Sequence, residues 1–521
     1  MRGMPIDFEK FRLRPFVQRL IEIGECEVHE EPITLADLSA GIEATRAAKL
    51  FRKVGAEQYE VAAAVSGSRR RLAAAFGVDE RDIAREYLRR LGNPQPIAEV
   101  PSADAPVHQV IRTGEAIDLT SLPFHLQHEL DGGPYISSAL DFCADPATGR
   151  NNVGLRRLMF RDRRTMRSHL YSPSHMKQFY QASVERGKPL PVTFAIGCHP
   201  LSFLAATLRH AVDEFALMAT LRGEPAPMVR GITNGVLAPA DAEITIEGYF
   251  DELGYREKEG PYGEFNGFYS GVLVDPVFHV TAITERRDAL FQTAYHGGRH
   301  LSWTDAGQLA SVNAELQMWR VLRAANIEPA AVYCVPAAGG GPHARIALRR
   351  GNPGQARLAI AALFSIARLK HVFVVDEDID VFSDEQIEWA MSTRFRGDRD
   401  LVQASGFPGY YNEPTAGEDN TVVKLGFDLT AAYGKPDTLE TRRPRVPQLK
   451  KAARCESVRE ALQAGPLYFV QVMEALGSSD GREVALALET LREQGALDRD
   501  TEGRYYLLGK QHGLQVAGAQ T

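Results

Sequence analysis

From about residue 117 to about residue 322 the chain alternates strand-like stretches with turn signals, which restricts this long region to a sheet-built domain. Asp131-Gly132-Gly133-Pro134, Thr148-Gly149 and the 260–267 segment mark turns. Residues 242–246 alternate as a half-buried strand, 277–283 form another candidate, and helices interrupt near 174–185 and 204–221. Before this region, from Phe11 to about Glu115, the pattern is mostly helical: Phe16, Leu20 and Ile23 share one face, and 79–91 read as a short charged amphipathic helix. After it, 358–369 predict an apolar helix and 371–375 a buried strand, and Ser383-Asp384-Glu385-Gln386 has the form of a capping box. Near the C-terminus 467–476 are helical, Val484, Leu488 and Leu491 recur at i, i+4, i+7, and Ala496-Leu497 and Tyr505-Tyr506-Leu507 flank a polar turn. Helix, helix and hairpin in that order resemble a winged helix. The expected domains are therefore 1–115, 116–322, 323–447 and a winged-helix-like appendage over 448–521, a length that suits several cores.

Composition excludes some partners. A net charge of -7 supplies no electrostatic footprint for nucleic acid or an anionic membrane. The appendage's second helix carries Asp480, Glu483, Glu489 and Glu493 against Arg482 and Arg492, the wrong sign for a phosphate backbone. No run of 18 apolar residues predicts a membrane span, and the charged N-terminus lacks the apolar core of a signal peptide. Five scattered cysteines form no CxxC pair and no even framework, so the expected compartment is the cytoplasm.

The most informative segment is Glu259-Gly260-Pro261-Tyr262-Gly263-Glu264. Two glycines and a proline disfavour a helix, so a tight loop can bring both carboxylates to one site. Such a pair can divide into a charged partner and a proton donor. Other candidate segments are 148–157 with Asn152 and Arg157, Ser174-His175-Met176, and Asp213-Glu214-Phe215-Ala216. Asp376-Glu377-Asp378-Ile379-Asp380 starts like an EF-hand, but Val381 and Ile387 stand where the glycine and final glutamate belong. No Walker A loop, dinucleotide fingerprint or G-x-S-x-G is present.

Taken in order, these segments resemble the UbiD family of decarboxylases. The likeness runs from about Leu13 to Thr430 and includes Ser66-Gly67-Ser68-Arg69, Asp131-Gly132-Gly133-Pro134-Tyr135-Ile136, Leu221-Arg222-Gly223-Glu224-Pro225, Val374-Val375-Asp376-Glu377-Asp378 and Lys424-Leu425-Gly426-Phe427-Asp428. The resemblance implies a mixed α/β fold with an N-terminal α/β region, a central flavin-binding split β-barrel and a C-terminal α/β oligomerisation domain. It also implies a homo-oligomer, dimer or hexamer, that receives prenylated FMN from a flavin prenyltransferase and acts reversibly on an unsaturated, aromatic or heteroaromatic carboxylic acid.

At the matching positions the resemblance assigns Asn152, His175 and Glu214 to a divalent ion, Mn2+ or Mg2+, held against the flavin phosphate, with K+ as a further ion. Val153, Gly154, Ser174 and Arg157 fall to the cofactor site, and Arg157, Glu259 and Glu264 match the catalytic Glu–Arg–Glu network, with Glu264 as the acid. Lys424 is the candidate for a further cation on the phosphate; a surface lysine is the alternative. Three positions depart from the family pattern: Arg156 stands where tyrosine is frequent, the sequence around His175 lacks a glycine pair, and His296-Gly297-Gly298-Arg299-His300 is unusual. That last segment reads either as a site for an extra polar or anionic substrate group or as a loop held by local hydrogen bonds.

Overall fold

The long strand-rich region closes on itself. In the computed structural model, which describes residues 6–170, 173–210, 213–349, 352–410, 413–431, 444–450 and 454–509, six antiparallel strands form a barrel. Their order is Ile244–Phe250, Leu190–Ile196, Tyr135–Ala144, Asn151–Phe160, Thr165–Ser168 and Val277–Glu285, and the last pairs back with the first. Closure leaves the barrel without a free edge, and the earlier strand Val110–Thr113 adds to one end of Val277–Glu285. The alternation at 242–246 predicted one solvated face, yet both faces of Ile244–Phe250 are largely buried. Ile244, Ile246 and Phe250 join the barrel core, while on the other face Thr245 pairs with Thr284 and Glu247 accepts from Ile232 N and Thr233 N. Covered polar side chains with partners look like solvated ones in a pattern of alternation.

The N-terminal region is not mostly helical. Cys26–His29, Ala48–Val54, Tyr59–Ala63 and the distant Phe291–Thr293 form a mixed sheet, with helices Leu13–Glu22, Leu38–Glu43, Arg69–Phe76 and Ile83–Leu91 beside it in sequence. Strands of three to seven residues carry too little periodicity to be told from helix, and their pairing is non-local. The helix expected over 204–221 is two, Pro200–Thr207 and Glu214–Arg222. Asp213 caps the second by accepting from Phe215 N and Ala216 N, which sets Glu214 at the first helical position.

A five-stranded sheet in the order Pro329–Cys334, His343–Leu348, His371–Asp376, Thr421–Asp428 and Leu401–Pro408 follows, with helices Asp305–Ala324, Gln355–Leu363 and Asp384–Thr393. All of this lies in one compact unit, Met1–Thr430. The second unit, Ala431–Thr521, has its own core of Val458, Leu462, Val472, Val484, Leu488, Leu491 and Leu497. Helices Val458–Ala461, Phe469–Leu476 and Arg482–Glu493 precede the expected hairpin of Leu497–Arg499 with Tyr505–Leu507. The 432–443 end of the third expected domain and the 510–521 tail of the appendage lie outside the described residues. Among the described residues no helix is long and apolar enough to cross a membrane.

Candidate active site

One barrel strand, Asn151–Phe160, carries the centre of the site. Alternation puts Asn152, Gly154 and Arg156 on one face and Arg157 on the other. On the first face Asp141 of the neighbouring strand is fully buried; it accepts from Asn152 Nδ2 at 2.6 Å and from Arg156 Nε at 2.8 Å. Burial raises the Asp141 pKa, and Arg156 opposes that shift. A Cβ at Gly154 would meet Asp141 Oδ1 at 2.6 Å, so only glycine leaves room for this acid. Arg156, the departure from the family pattern, thereby has a structural partner, and its Nη2 also reaches Ser174 Oγ at 3.1 Å.

Glu214 joins the same cluster from its helix N-terminus. Its Oε2 accepts from Val153 N at 2.7 Å and its Oε1 lies 2.9 Å from His175 Nδ1. His175 opens the His175–Glu185 helix, which Ser174 caps through Lys177 N, and its Nε2 faces Arg150 Nη2 at 3.2 Å. These residues are of the types that fit a divalent ion: Asn152, its amide nitrogen held by Asp141, has its oxygen to offer, and Glu214 and His175 offer a carboxylate and an imidazole that an ion would take over from their contact with each other. An amide oxygen and a carboxylate suit a hard cation, and one imidazole favours Mn2+ over Mg2+.

On the other face of the strand, Arg157 sits opposite a bulge: Ile136 pairs with Leu158 and Ala139 with Arg156, so Ser137 and Ser138 together face Arg157. Bulges re-aim side chains beside active sites. Arg157 Nε and Nη2 donate to Glu259 Oε1 at 2.9 Å and Oε2 at 2.7 Å, a bidentate pair, while Nη1 donates to Glu264 Oε1. Tyr135 OH donates to Glu259 as well, at 3.0 Å, and the guanidinium stands 4.7 Å from the Tyr262 ring centroid. Burial works against the Arg157 charge, but the two carboxylates outweigh it and raise its pKa further. Glu259 is fully buried and the Glu264 side chain is 16% exposed.

The loop between the glutamates is held by the Asp131-Gly132-Gly133 turn. Asp131 Oδ1 accepts from Gly263 N at 2.8 Å and Gly132 N donates to Pro261 O at 2.8 Å. A Cβ at Gly132 would lie 2.3 Å from Gly260 O, so the two turns meet only through glycine. The network thus joins two segments that the sequence shows only as separate turns.

Comparison with known proteins decides what this arrangement belongs to. Residues 19–91, 98–299 and 307–429 match the N-terminal, Rift-related and C-terminal domains of 3-octaprenyl-4-hydroxybenzoate carboxy-lyase. The chain belongs to the UbiD family. Among curated relatives, anhydromevalonate phosphate decarboxylase of Methanosarcina mazei is 31% identical over 435 residues, covering 82% of this chain and 98% of the relative. Among solved structures, the UbiD-class enzyme HmfF from Pelotomaculum thermopropionicum in complex with FMN is 30% identical at a TM-score of 0.78, covering 84% of this chain and 97% of that one. Vanillic acid decarboxylase of Sedimentibacter hydroxybenzoicus is 26% identical at a TM-score of 0.75, covering 84% and 96%. The UbiD relatives are decarboxylases, and this chain is a carboxy-lyase of that family.

One site assignment from the UbiD resemblance is corrected. Lys424 lies in the Thr421–Asp428 strand, fully buried, and its ammonium donates to Phe364 O at 2.9 Å, Ile366 O at 2.7 Å and Ala367 O at 3.4 Å. Burial lowers its pKa to about 8. All three donors are occupied by carbonyls just past the Gln355–Leu363 helix, so Lys424 closes a helix end and has none left for a phosphate. Lys424→Met is therefore expected to lower stability by about 1–3 kcal/mol through unpaired buried carbonyls. Denaturant unfolding measures that loss, and flavin affinity of the folded protein is expected to stay unchanged.

A cation that sequence reasoning missed is Arg368. Its guanidinium lies 5.8 Å from the Phe265 ring centroid and 5.6 Å from that of Tyr410, and its Nη2 donates to Gly339 O. Among the described residues it has no carboxylate partner, and burial lowers its pKa. Phe265 follows Glu264 directly, so Arg368 adjoins the loop between and after the two glutamates. In the 296–300 segment, Arg299 donates from N and Nη2 to the distant Glu43, and the His300 backbone N donates to Tyr295 OH. His296 instead stands against Tyr262 at 5.9 Å, its Nε2 on Ser137 O, with burial holding its pKa near 4.

Proposed function

We propose that this UbiD-family enzyme reversibly and non-oxidatively decarboxylates an α,β-unsaturated, aromatic or heteroaromatic carboxylic acid with prenylated FMN. The carrying observation is the unequal division of Arg157 between two glutamates: Glu259 accepts two of its N–H groups plus Tyr135 OH, and Glu264 accepts one. Two solved structures of the relative HmfF, one an evolved form, hold FMN or prenylated FMN, which supports the flavin. When bound, prenylated FMN supplies the electron sink that loss of CO2 from such an acid requires. Asn152, His175 and Glu214 would hold Mn2+ or Mg2+, Val153, Gly154 and Ser174 would shape the cofactor site, and Arg368 would supply a buried cation beside the loop that carries Glu264.

The protein's part is positioning and one proton. Arg157 pins Glu259 by two parallel N–H bonds and keeps Glu264 at hand by the third. Glu264 delivers its proton to the carbon that has lost CO2, a contribution of about 10²–10⁴-fold for such a group. Its partial exposure lets water restore that proton, while buried Tyr135, Tyr262 and His296 limit water elsewhere in the site. The reading includes a cytoplasmic homo-oligomer, a dimer or hexamer, supplied by a flavin prenyltransferase. A panel of cinnamic, furoic, hydroxybenzoic and phosphorylated acrylic acids, given to protein coexpressed with that transferase, is expected to yield CO2 from at least one class. Incorporation of 13C-bicarbonate into the product checks reversibility, and no turnover across the panel by flavin-loaded protein would overturn the reading.

A further inference from the structure

Two buried titratable groups that take no part in the proton transfer meet Glu259. Asp275 ends the Leu273–Asp275 strand, which pairs antiparallel with Glu257–Glu259 in a register that sets Asp275 across from Glu257. Alternation then places Glu257, Glu259 and Asp275 on one face of the hairpin. His169 follows the barrel strand Thr165–Ser168 and reaches that face: its Nδ1 is 3.2 Å from Asp275 Oδ2 and 3.9 Å from Glu259 Oε2. Asp275 Oδ1 accepts from Leu170 N at 2.8 Å, so this one carboxylate grips two consecutive residues and fixes the approach of the ring. Asp275 and Glu259 are fully buried and His169 nearly so.

We propose that Asp275 and His169 are positioning residues for Glu259. Asp275 orients the imidazole, and the imidazole stands behind Glu259 Oε2 and holds that carboxylate in the plane that accepts Arg157 bidentately. The distribution of Arg157 over the two glutamates then depends on the pair: with the ring displaced, Glu259 turns, and Arg157 moves toward Glu264 and holds it as a carboxylate. The three side chains lie close enough together to suggest a cation site, since one ligand atom of each falls within 4.8 Å of the others. However, both oxygens of Glu259 already accept from Arg157, and both of Asp275 are engaged by Leu170 N and His169. An ion would have to displace all of these, so positioning is the use the geometry favours.

The inference rests on the reading of Glu264 as the acid, and its test separates the two. Flavin-loaded Asp275→Asn, which keeps the shape and removes the charge, is expected to lose about 10–100-fold in kcat, by analogy with the outer-shell partners that orient metal ligands. KM, flavin occupancy and Tm are expected to stay close to wild type. His169→Asn, whose amide nitrogen can stand where Nδ1 was, is expected to retain more activity than His169→Ala. A crystal structure of Asp275→Asn is expected to show Glu259 withdrawn from its bidentate contact with Arg157. An intact Arg157–Glu259 pair, a wild-type kcat, or a kcat loss that only follows loss of flavin and Tm would each overturn the positioning role. Glu264→Gln run alongside reports on the acid separately: wild-type turnover there would sink the acid assignment, while the crystallographic readout still decides the role of Asp275 and His169.

Discussion

Glu264→Gln is expected to bind flavin and metal normally and to lose turnover by about 10²–10⁴-fold. The amide has nearly the shape of the acid and its oxygen can still accept from Arg157 Nη1, so the loop between the glutamates has no reason to move. What it lacks is a transferable proton. Exchange of solvent deuterium into the product is expected to fall in step with CO2 release, because both use the same proton. Glu259→Gln is expected to slow the reaction by a different route. It weakens the bidentate pair and leaves Arg157 to bind Glu264 more strongly, and an adjacent guanidinium favours the charged form of an acid. Steady-state rates and deuterium incorporation for both variants at matched flavin occupancy distinguish the two roles, and a Glu264→Gln enzyme that turned over and exchanged at wild-type rates would remove Glu264 from the mechanism.

Glu214→Ala is expected to abolish metal binding and most flavin binding. The carboxylate is the one anionic member of the Asn152–His175–Glu214 set, and deprotonated ligands supply most of the attraction for a divalent ion. It also stands in the first turn of its helix, where a negative charge is favoured by roughly 0.3–1 kcal/mol. Its two oxygens tie Val153 N to His175 Nδ1, so the substitution leaves a backbone N–H without its acceptor and releases the imidazole. The metal in turn is expected to link the protein to the flavin phosphate, so both losses come together. Metal analysis and flavin absorbance of the purified variant measure them; full metal content would show that Glu214 is not a ligand.

How much of this site was legible in the chain depends on how local each feature is. The Glu259–Glu264 loop was readable because glycine and proline act on their own backbone. Arg157 was placed by the resemblance, but the bulge opposite it was not readable, since it lies in the neighbouring strand and follows from barrel register. Asp141 and Tyr135 were missed for the same reason: each lies in a strand of mostly apolar residues, and only pairing turns Asp141 to Asn152 and Tyr135 to Glu259. Lys424 shows the converse error. Its segment matched the UbiD pattern in sequence, but the helix carbonyls that take its ammonium lie some 57–60 positions away. The break before Asp213 was hidden by apolar residues on both sides, and it is that break which makes Glu214 a helix-terminal ligand candidate.

The most direct measurement is the identity of what the protein binds after coexpression with a flavin prenyltransferase. Mass spectrometry of the released cofactor, together with metal analysis of the same sample, is expected to find prenylated FMN and Mn2+ in stoichiometric amounts. A nicotinamide in place of the flavin, or zinc in place of manganese, would contradict it.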